Sequence, residues 1–491
     1  MRRAAIAVAA VFLAGLAVPA DITAPGAAAR AVPARELAAR LPTSPSRGLL
    51  AGSAPSWTAI KAPVPNASLG TLLWQVGCHT AALCVATGIY GDSAGEHLLL
   101  LTGHGSSWIA TKAPLPAGAG SSSGDYLPTV NSVACPSATG CVAAGYYQDT
   151  SARQHGLLLT GHGTSWTATK APLPAGPAAS PETVLSDVTC PTATECVAVG
   201  YYFDSAGNQE GLLVTGHGSS WTATRAPMPP GGIAGGTVLR DVACPTAVTC
   251  VATGSYLGRA GGQGLLLTGH GTSWKASRAP LPPGAAAGVS LGDVACPAAT
   301  ACVAVGSYAD PAGHQQGMLL AGHGSSWTAT RMPLPADAAA NPLTTLFEVA
   351  CPTAVVCAAT SEYTNSSGKQ QLLMLAGHGS SWTAAKAPLA AMAVTATTSF
   401  GPFFSGLACP TTTECIATGA YLDPVGAELG LLFIRHGPAW TLLKTPLPVG
   451  GTAAGDNGLG QVACPSAASC AIAGFYWDSS AELGMLLTGP A

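Results

Sequence analysis

Leu185-Ser-Asp-Val-Thr-Cys190-Pro-Thr-Ala-Thr-Glu-Cys196-Val-Ala-Val-Gly-Tyr-Tyr202, together with the residues up to Arg225, decides how this chain folds. Short runs of Val, Thr and Tyr, broken by Pro191 and later by Asp204-Ser-Ala-Gly207, read as strands joined by tight turns. Leu185 to Cys190 forms a first strand and Cys196 to Tyr202 a second. Gly211 to Thr215 forms a third after the Asp-x-x-Gly turn. Gly216-His-Gly218 then leads into a fourth, Trp221 to Arg225, which Pro227 and Pro229 end. Outside the first residues of the chain no window carries a helical period.

The same unit recurs along the chain. Its cysteine pairs are Cys78 and Cys84, Cys135 and Cys141, Cys190 and Cys196, Cys244 and Cys250, Cys296 and Cys302, Cys351 and Cys357, Cys409 and Cys415, and Cys464 and Cys470, which use all 16 cysteines. A tryptophan marks each unit at 57, 108, 166, 221, 274, 327, 382 and 440, giving a period of about 55 residues. Four short strands repeated radially make an all-β, eight-bladed β-propeller. The chain enters the pattern at a fourth strand, Trp57 to Ala62, and leaves after a third, Met485 to Gly489. The N-terminal strand is therefore expected to complete the last blade and close the ring, which a linear solenoid would not require.

Before the repeat, Met1-Arg-Arg3, the apolar run Ala4 to Val18 and the small residues around Ala20 read as a signal peptide over 1–20. Residues 21–54 are rich in Ala, Pro and Arg and read as a flexible lead-in, leaving 55–491 for the propeller. That region keeps 14 basic and 21 acidic residues, too few cations to displace counterions from nucleic acid. Its apolar residues come in short runs, so no membrane span is expected in the mature chain. A secreted, monomeric protein without cofactor is the expectation.

Gly105-Ser-Ser-Trp108 and Gly163-Thr-Ser-Trp166 open fourth strands. They match the second half of the pattern Ser-x-Asp-x-Gly-x-Thr-Trp, with Gly103 and Gly161 where its aspartate would stand. The turn thus resembles a degenerate Asp-box of neuraminidase-like repeats, and the whole unit is similar to that of secreted bacterial β-propeller proteins. The resemblance covers about residues 55–491 and implies the fold. It does not imply an activity, since propellers host many unrelated ones.

In an exported chain, cysteines flanking a hairpin turn read as a disulfide staple rather than a zinc site. The turn histidines His104, His162, His217, His270, His323, His378 and His436 each fall on a different blade, too far apart to share a metal ion. Lys61, Lys112, Lys170, Arg225, Arg278, Arg331, Lys386 and Lys444 follow each tryptophan by four residues and read as edge charges that block strand pairing. Asn66-Ala-Ser68 and Asn365-Ser-Ser367 match glycosylation sequons.

Two features break the repeat. Asp187, Asp241, Asp293 and Glu348 lie three residues before the first cysteine in four consecutive blades, where the others have Gln75, Ser132, Gly406 and Gln461. Innermost acids could bind a cation, meet sugar hydroxyls or cap neighbouring backbone groups. Trp74, Phe400, Phe403, Phe404 and Trp477 fall in blades seven, eight and one, where they form either a sugar-stacking platform or packing. Spacing varies most between blades, which points to the interblade loops as the ligand face. Neuraminidase-like catalysis would need an arginine triad, yet outside the fourth strands only Arg153, Arg240, Arg259 and Arg435 occur, at unrelated positions. Tyr363 beside Glu362 is the one suggestive pair for a nucleophile. No catalytic set emerges, and a module for a surface glycan or protein is expected, with a glycan-acting enzyme as the alternative.

Overall fold

A computed structural model describes residues 57–66, 69–120, 127–259, 261–389, 401–423, 426–452 and 455–491. The expected signal peptide, the lead-in and Phe400 lie outside the described residues. The described chain is all-β: eight four-stranded antiparallel sheets, each one blade of a propeller. Within a blade the strands follow chain order from the axis outward. Inner strands run Gly70–Thr80, Thr129–Ser137, Val184–Thr192, Val238–Thr246, Ala287–Ala298, Thr345–Thr353, Phe403–Ala408 and Asn457–Ser466, in blades 1 to 8.

Blade 8 takes its outer strand from the start of the propeller. Thr58–Lys61 pairs antiparallel with Glu482–Gly489, Ala59 opposite Leu487 and Ile60 opposite Leu486. The Ala62 N–H extends the ladder to the Gly484 carbonyl at 2.8 Å. One buried apolar cluster fills each junction between neighbouring blades, including Leu73, Ala86, Leu101, Ala473 and Leu486 where blade 8 meets blade 1. The two middle strands of each blade are packed from both faces, which explains their continuous apolar runs, such as Cys196-Val-Ala-Val-Gly200. Outer strands have a neighbour on one side only and alternate half-buried with exposed.

All eight cysteine pairs form disulfides within one hairpin, with Cα atoms 4.0–4.1 Å apart. The first cysteine of each pair stays half-buried, while the second sinks into the blade. Cys141, Cys250 and Cys415 are buried in this way, each bridged to the Cys135, Cys244 or Cys409 of its own hairpin. Cys250 and Cys415 join the apolar clusters at their blade junctions. A sulfur so enclosed cannot touch a ligand, so these three are framework and stand apart from any binding site.

These hairpins and the His-Gly turns lie on one face of the ring, the staple face. The second-to-third strand turns and the interblade loops lie on the other, the loop face. Inner strands carry a bulge: Leu185 pairs with Gly200 and Asp187 with Val199, leaving Ser186 unpaired. Gly200 makes room for it, because a Cβ there would collide with the Val184 carbonyl oxygen.

Candidate functional site

The bulge changes which residues reach the axis. It leaves one residue of the strand unpaired directly before the acid: Ser186 before Asp187 in blade 3, Arg240 before Asp241 in blade 4. The acids form a belt that links blade to blade. The Val242 N–H donates to Asp187 Oδ2 at 3.1 Å, Val294 to Asp241 Oδ2 at 2.7 Å, and Val349 to Asp293 Oδ2 at 2.6 Å. Glu348 ends the series and accepts from Gln461 Nε2 at 2.5 Å, across blade 7. Gly406 permits that crossing, since a Cβ there would lie 3.0 Å from the Val462 nitrogen and 3.1 Å from Gln461 Cα.

Of the three readings of these acids, the structure displays backbone capping. Their burial also shifts their acidity. Burial, then the neighbouring Asp187 and Asp293, pushes the Asp241 carboxyl well above the usual carboxylate range. Asp293 rises through burial, and Glu348 is raised to about 8 by burial and the Asp293 charge. Among the described residues no three His, Cys, Asp or Glu side chains are arranged to hold a metal ion.

The aromatics do not assemble into one platform. Phe404 is core: 3% exposed, its ring packs 5.8 Å from Phe433 and 6.4 Å from Phe347 between blades 6 and 7. A ring so enclosed cannot stack on a ligand, which corrects its place among the binding residues. Phe403 is half-buried at the start of the same strand, opposite Ala420. Trp74 occupies the bulge of blade 1, and its Nε1 donates to the Val130 carbonyl at 2.9 Å. Trp477 differs from all of these. It is 38% exposed on the loop face of blade 8, and every other aromatic among the described residues is at least partly covered.

Around Trp477 stand acids that the repeat pattern leaves unremarked. Glu482 is its partner on the adjacent strand. Glu428 holds the equivalent place in blade 7, where blades 2, 3, 5 and 6 have Gln154, Gln209, Gln315 and Gln370. Asp456 accepts the Glu428 N–H at 2.9 Å. Burial, then Asp456 and Glu482, raises Glu428 to about 7, and burial then Asp456 raises Glu482. A side chain at Gly458 would strike both the Phe475 ring and Glu428 Oε1, so glycine is what lets these two meet. Thr452 fixes the platform, donating its N–H and its hydroxyl to the Trp477 carbonyl, both at 3.1 Å. The sequence signal was there: glutamate replacing glutamine at one repeated position.

The fourth-strand cations do more than guard an edge. Arg225 donates to the fully buried Glu210 at 2.5 Å, Arg331 to Gln316 at 2.8 Å, and Lys386 to Asp337 at 2.5 Å. Lys112 and Lys170 reach His97 and His155 at 3.5 Å, and those histidines meet Asp92 and Asp149 of the next turn. Glu362 and Tyr363 point to opposite faces of their strand, as consecutive strand residues must. Tyr363 is buried and donates to Asp337, so the two do not form a nucleophile pair. Asn365 spends its Oδ1 on the Ser367 and Lys369 N–H groups, as the turn aspartates do.

Open clefts lie on the staple face, opposite the interblade loops. One of about 350 Å³ lies between blades 5 and 6, lined by Cys302, Ala321, Thr328, His378, Gly379 and their neighbours. A second of about 280 Å³ lies between blades 8 and 1. In blades 1 to 4 a third-strand threonine ties its blade to the next: Thr102 donates to the Gly163 carbonyl, Thr160 to Gly218, Thr215 to Gly271 and Thr268 to Gly324, at 3.1–3.4 Å. Blade 5 has Ala321 instead, and there the larger cleft opens.

No protein-family model and no curated protein matches the sequence. Solved structures match in outline only. The BP39L lectin from Burkholderia pseudomallei aligns at 11% identity with a TM-score of 0.41, over 76% of this chain and 98% of the lectin. A Trypanosoma rangeli sialidase in complex with sialic acid aligns at 9% identity and 0.38, over 88% of this chain and 59% of the sialidase. The six-bladed Aleuria aurantia lectin aligns at 12% identity and 0.33, over 67% of this chain and 99% of the lectin. The fold therefore rests on the strand pairing of this chain itself.

Proposed function

We propose that this chain is a secreted binding module for a surface glycan, held on the loop face where blades 7 and 8 meet. One observation carries the reading: the single exposed aromatic among the described residues, Trp477, stands beside Glu482, with Glu428 and Asp456 close to it. An indole face packs on the C–H face of a sugar ring, and carboxyl oxygens accept its hydroxyls. Eight disulfides, and no helix among the described residues long and apolar enough to cross a membrane, fit an extracellular setting.

A glycan array followed by calorimetry tests the proposal. Trp477→Ala should weaken binding by about 1 kcal/mol or more and leave the melting temperature in place. An array with no positive glycan, or equal affinity in the variant, removes the reading. The enzymatic alternative has one observation in its favour, a Glu428 carboxyl raised to about 7 by burial and then by Asp456, in the range a general acid uses near neutral pH. Turnover of chromogenic glycosides that Glu428→Gln abolishes would establish it, and none would dismiss it.

A further inference from the structure

Arg240 is the one cation on the inner strands. It occupies the bulge of blade 4, where blades 2 and 3 have Asn131 and Ser186 and blade 5 has Gly292. The side chain is exposed, and on an innermost strand the solvent it meets is that of the central channel. Gly292 leaves open space beside it, for a Cβ there would meet only the Val305 carbonyl oxygen at 3.9 Å.

Nothing among the described residues neutralises Arg240. It has no ion pair or hydrogen bond among the described residues, unlike Arg225 and Arg331, which end on strand partners. The belt of acids does not serve, because Asp187, Asp241 and Asp293 spend their oxygens on backbone N–H groups and on each other. Surrounding protein holds the guanidinium below its ordinary pKa through desolvation, and its electrostatic neighbour is the phenol of Tyr201. Tyr201 in turn feels Tyr146 and Glu182. Neither phenol hydroxyl has a hydrogen-bond partner among the described residues. Phe203 meets the Tyr201 ring edge-on at 6.4 Å, and Glu182 accepts from Ser180 at 2.8 Å. A charge held in a protein-walled channel without a counter-ion is costly.

We infer that Arg240, with Tyr201 and Tyr146, forms a second binding site, which takes the carboxylate of an acidic sugar residue at the channel wall of blades 2 to 4. A guanidinium fork matches a carboxylate through two parallel hydrogen bonds. One positive charge, with no second cation on the flanking inner strands, balances a monoanion rather than a phosphate dianion. The free phenol hydroxyls meet the sugar's hydroxyls, and the Tyr201–Phe203 pair supplies an apolar wall. The inference rests on the glycan reading only for the sugar part of the ligand; the anion site stands on Arg240 alone.

Calorimetric titration with glucuronate, its neutral parent glucose, acetate and inorganic phosphate tests it. Glucuronate should bind at least tenfold more tightly than each of the other three, and more weakly as salt is added. Arg240→Gln should remove that preference, Tyr201→Phe should reduce affinity several-fold, and Glu182→Gln should improve it by removing an acid that Tyr201 feels. Should Arg240→Gln fail to fold, Arg240→Lys keeps the charge, loses the fork, and should still lose most of the preference. Glucuronate binding that survives in either folded Arg240 variant, or phosphate or acetate binding as tightly as glucuronate, overturns the inference. Trp477→Ala should leave glucuronate binding unchanged. Neutral glycans bound through Trp477 with no response to glucuronate would sink this site and spare the other; the converse would sink the other.

Discussion

The staple hairpins and the channel wall of the same inner strands are separated by only a few residues, yet they obey opposite rules. The hairpin is one object made eight times, Cys-x5-Cys, with the cysteines bridged in every blade. The two residues at the bulge just before it form a different pair in every blade: Trp74-Gln75, Asn131-Ser132, Ser186-Asp187, Arg240-Asp241, Gly292-Asp293, Phe347-Glu348, Ser405-Gly406 and Gly460-Gln461. A disulfide across two facing strands tolerates one residue type at one spacing. At the bulge the contact made with the next blade differs from blade to blade, a backbone N–H taken by Asp241 in one and the Phe404 ring met by Phe347 in another, so no single residue type is required there. Regularity marks the staple that each blade makes within itself, and irregularity marks where each blade meets its neighbours differently.

Ring closure should show the largest effect. Deleting residues through Pro63 removes Thr58–Lys61 and leaves the third strand of blade 8 as an open edge, ready to pair with another chain. Aggregation is expected, whereas removal of residues 21–50 should leave the melting transition unchanged. A stable, monomeric protein truncated through Pro63 would mean that the outer strand of blade 8 is dispensable.

Next in size is pH. Raised carboxyls bind their protons more tightly in the folded chain than in the unfolded one, so their contribution is complete below about pH 4 and is lost as pH rises through their folded values. For Glu348, raised to about 8, and Glu362, raised to about 7, the loss runs across the neutral range. A rise of one in pKa is worth about 1.4 kcal/mol, and Glu348 alone sets a scale of a few kcal/mol. Turn aspartates act in the other direction. Asp149 is lowered to about 2 by its hydrogen bonds, first to His155, and its contribution disappears as pH falls toward that value. Denaturant melts should therefore place greatest stability near pH 5 rather than 8, and Glu348→Gln should flatten the alkaline side. Stability that climbs steadily to pH 8 would show that burial does not raise the belt carboxyls.

Eight blades, their staples and the closing strand were legible because a fixed period with a split unit at the ends admits few other architectures. The side-chain assignments were not, and the bulge is the physical reason. A strand's alternation tells which residues share a face, but one unpaired residue between Phe404 and Gly406 resets that count. Phe404 consequently falls into the core while its neighbours face elsewhere. Arg240 reaches the channel by the same shift in blade 4. Glu428 was open to reading as the departure from Gln154, Gln209, Gln315 and Gln370, but aligning third strands by their turns was needed to see it. Trp477 could be placed on the loop face, though its exposure depends on how the loop around Thr452 packs.

A single staple should matter less than the belt. Replacing Cys190 and Cys196 together by Ser frees a ring of five intervening residues, and loop-closure entropy for so small a ring gives about 2 kcal/mol. The loss should be similar in every blade, because the hairpin is the same in each. A spread of several kcal/mol among the eight double variants would contradict the regularity of the staple face.

The smallest effect is the sharpest test, because it adds a contact to the staple face. Ala321 lacks the hydroxyl with which Thr102, Thr160, Thr215 and Thr268 hold the next blade's turn, and the cleft of about 350 Å³ lies where that tie is missing. In Ala321→Thr the new Oγ1 stands in the same register, opposite Thr328, as Thr268 does opposite Lys275. It should donate to the Gly379 carbonyl. One net hydrogen bond is worth about 1 kcal/mol, and in a ring of this size the melting temperature should rise by only about one or two degrees. Hydrogen exchange at Gly379 and Ser380 should slow, while Thr102→Ala should open the junction of blades 1 and 2 and speed exchange at Gly163. If Ala321→Thr instead destabilises the protein, the alanine is required by the packing of that junction, and the cleft is a gap the fold must keep rather than an untied seam.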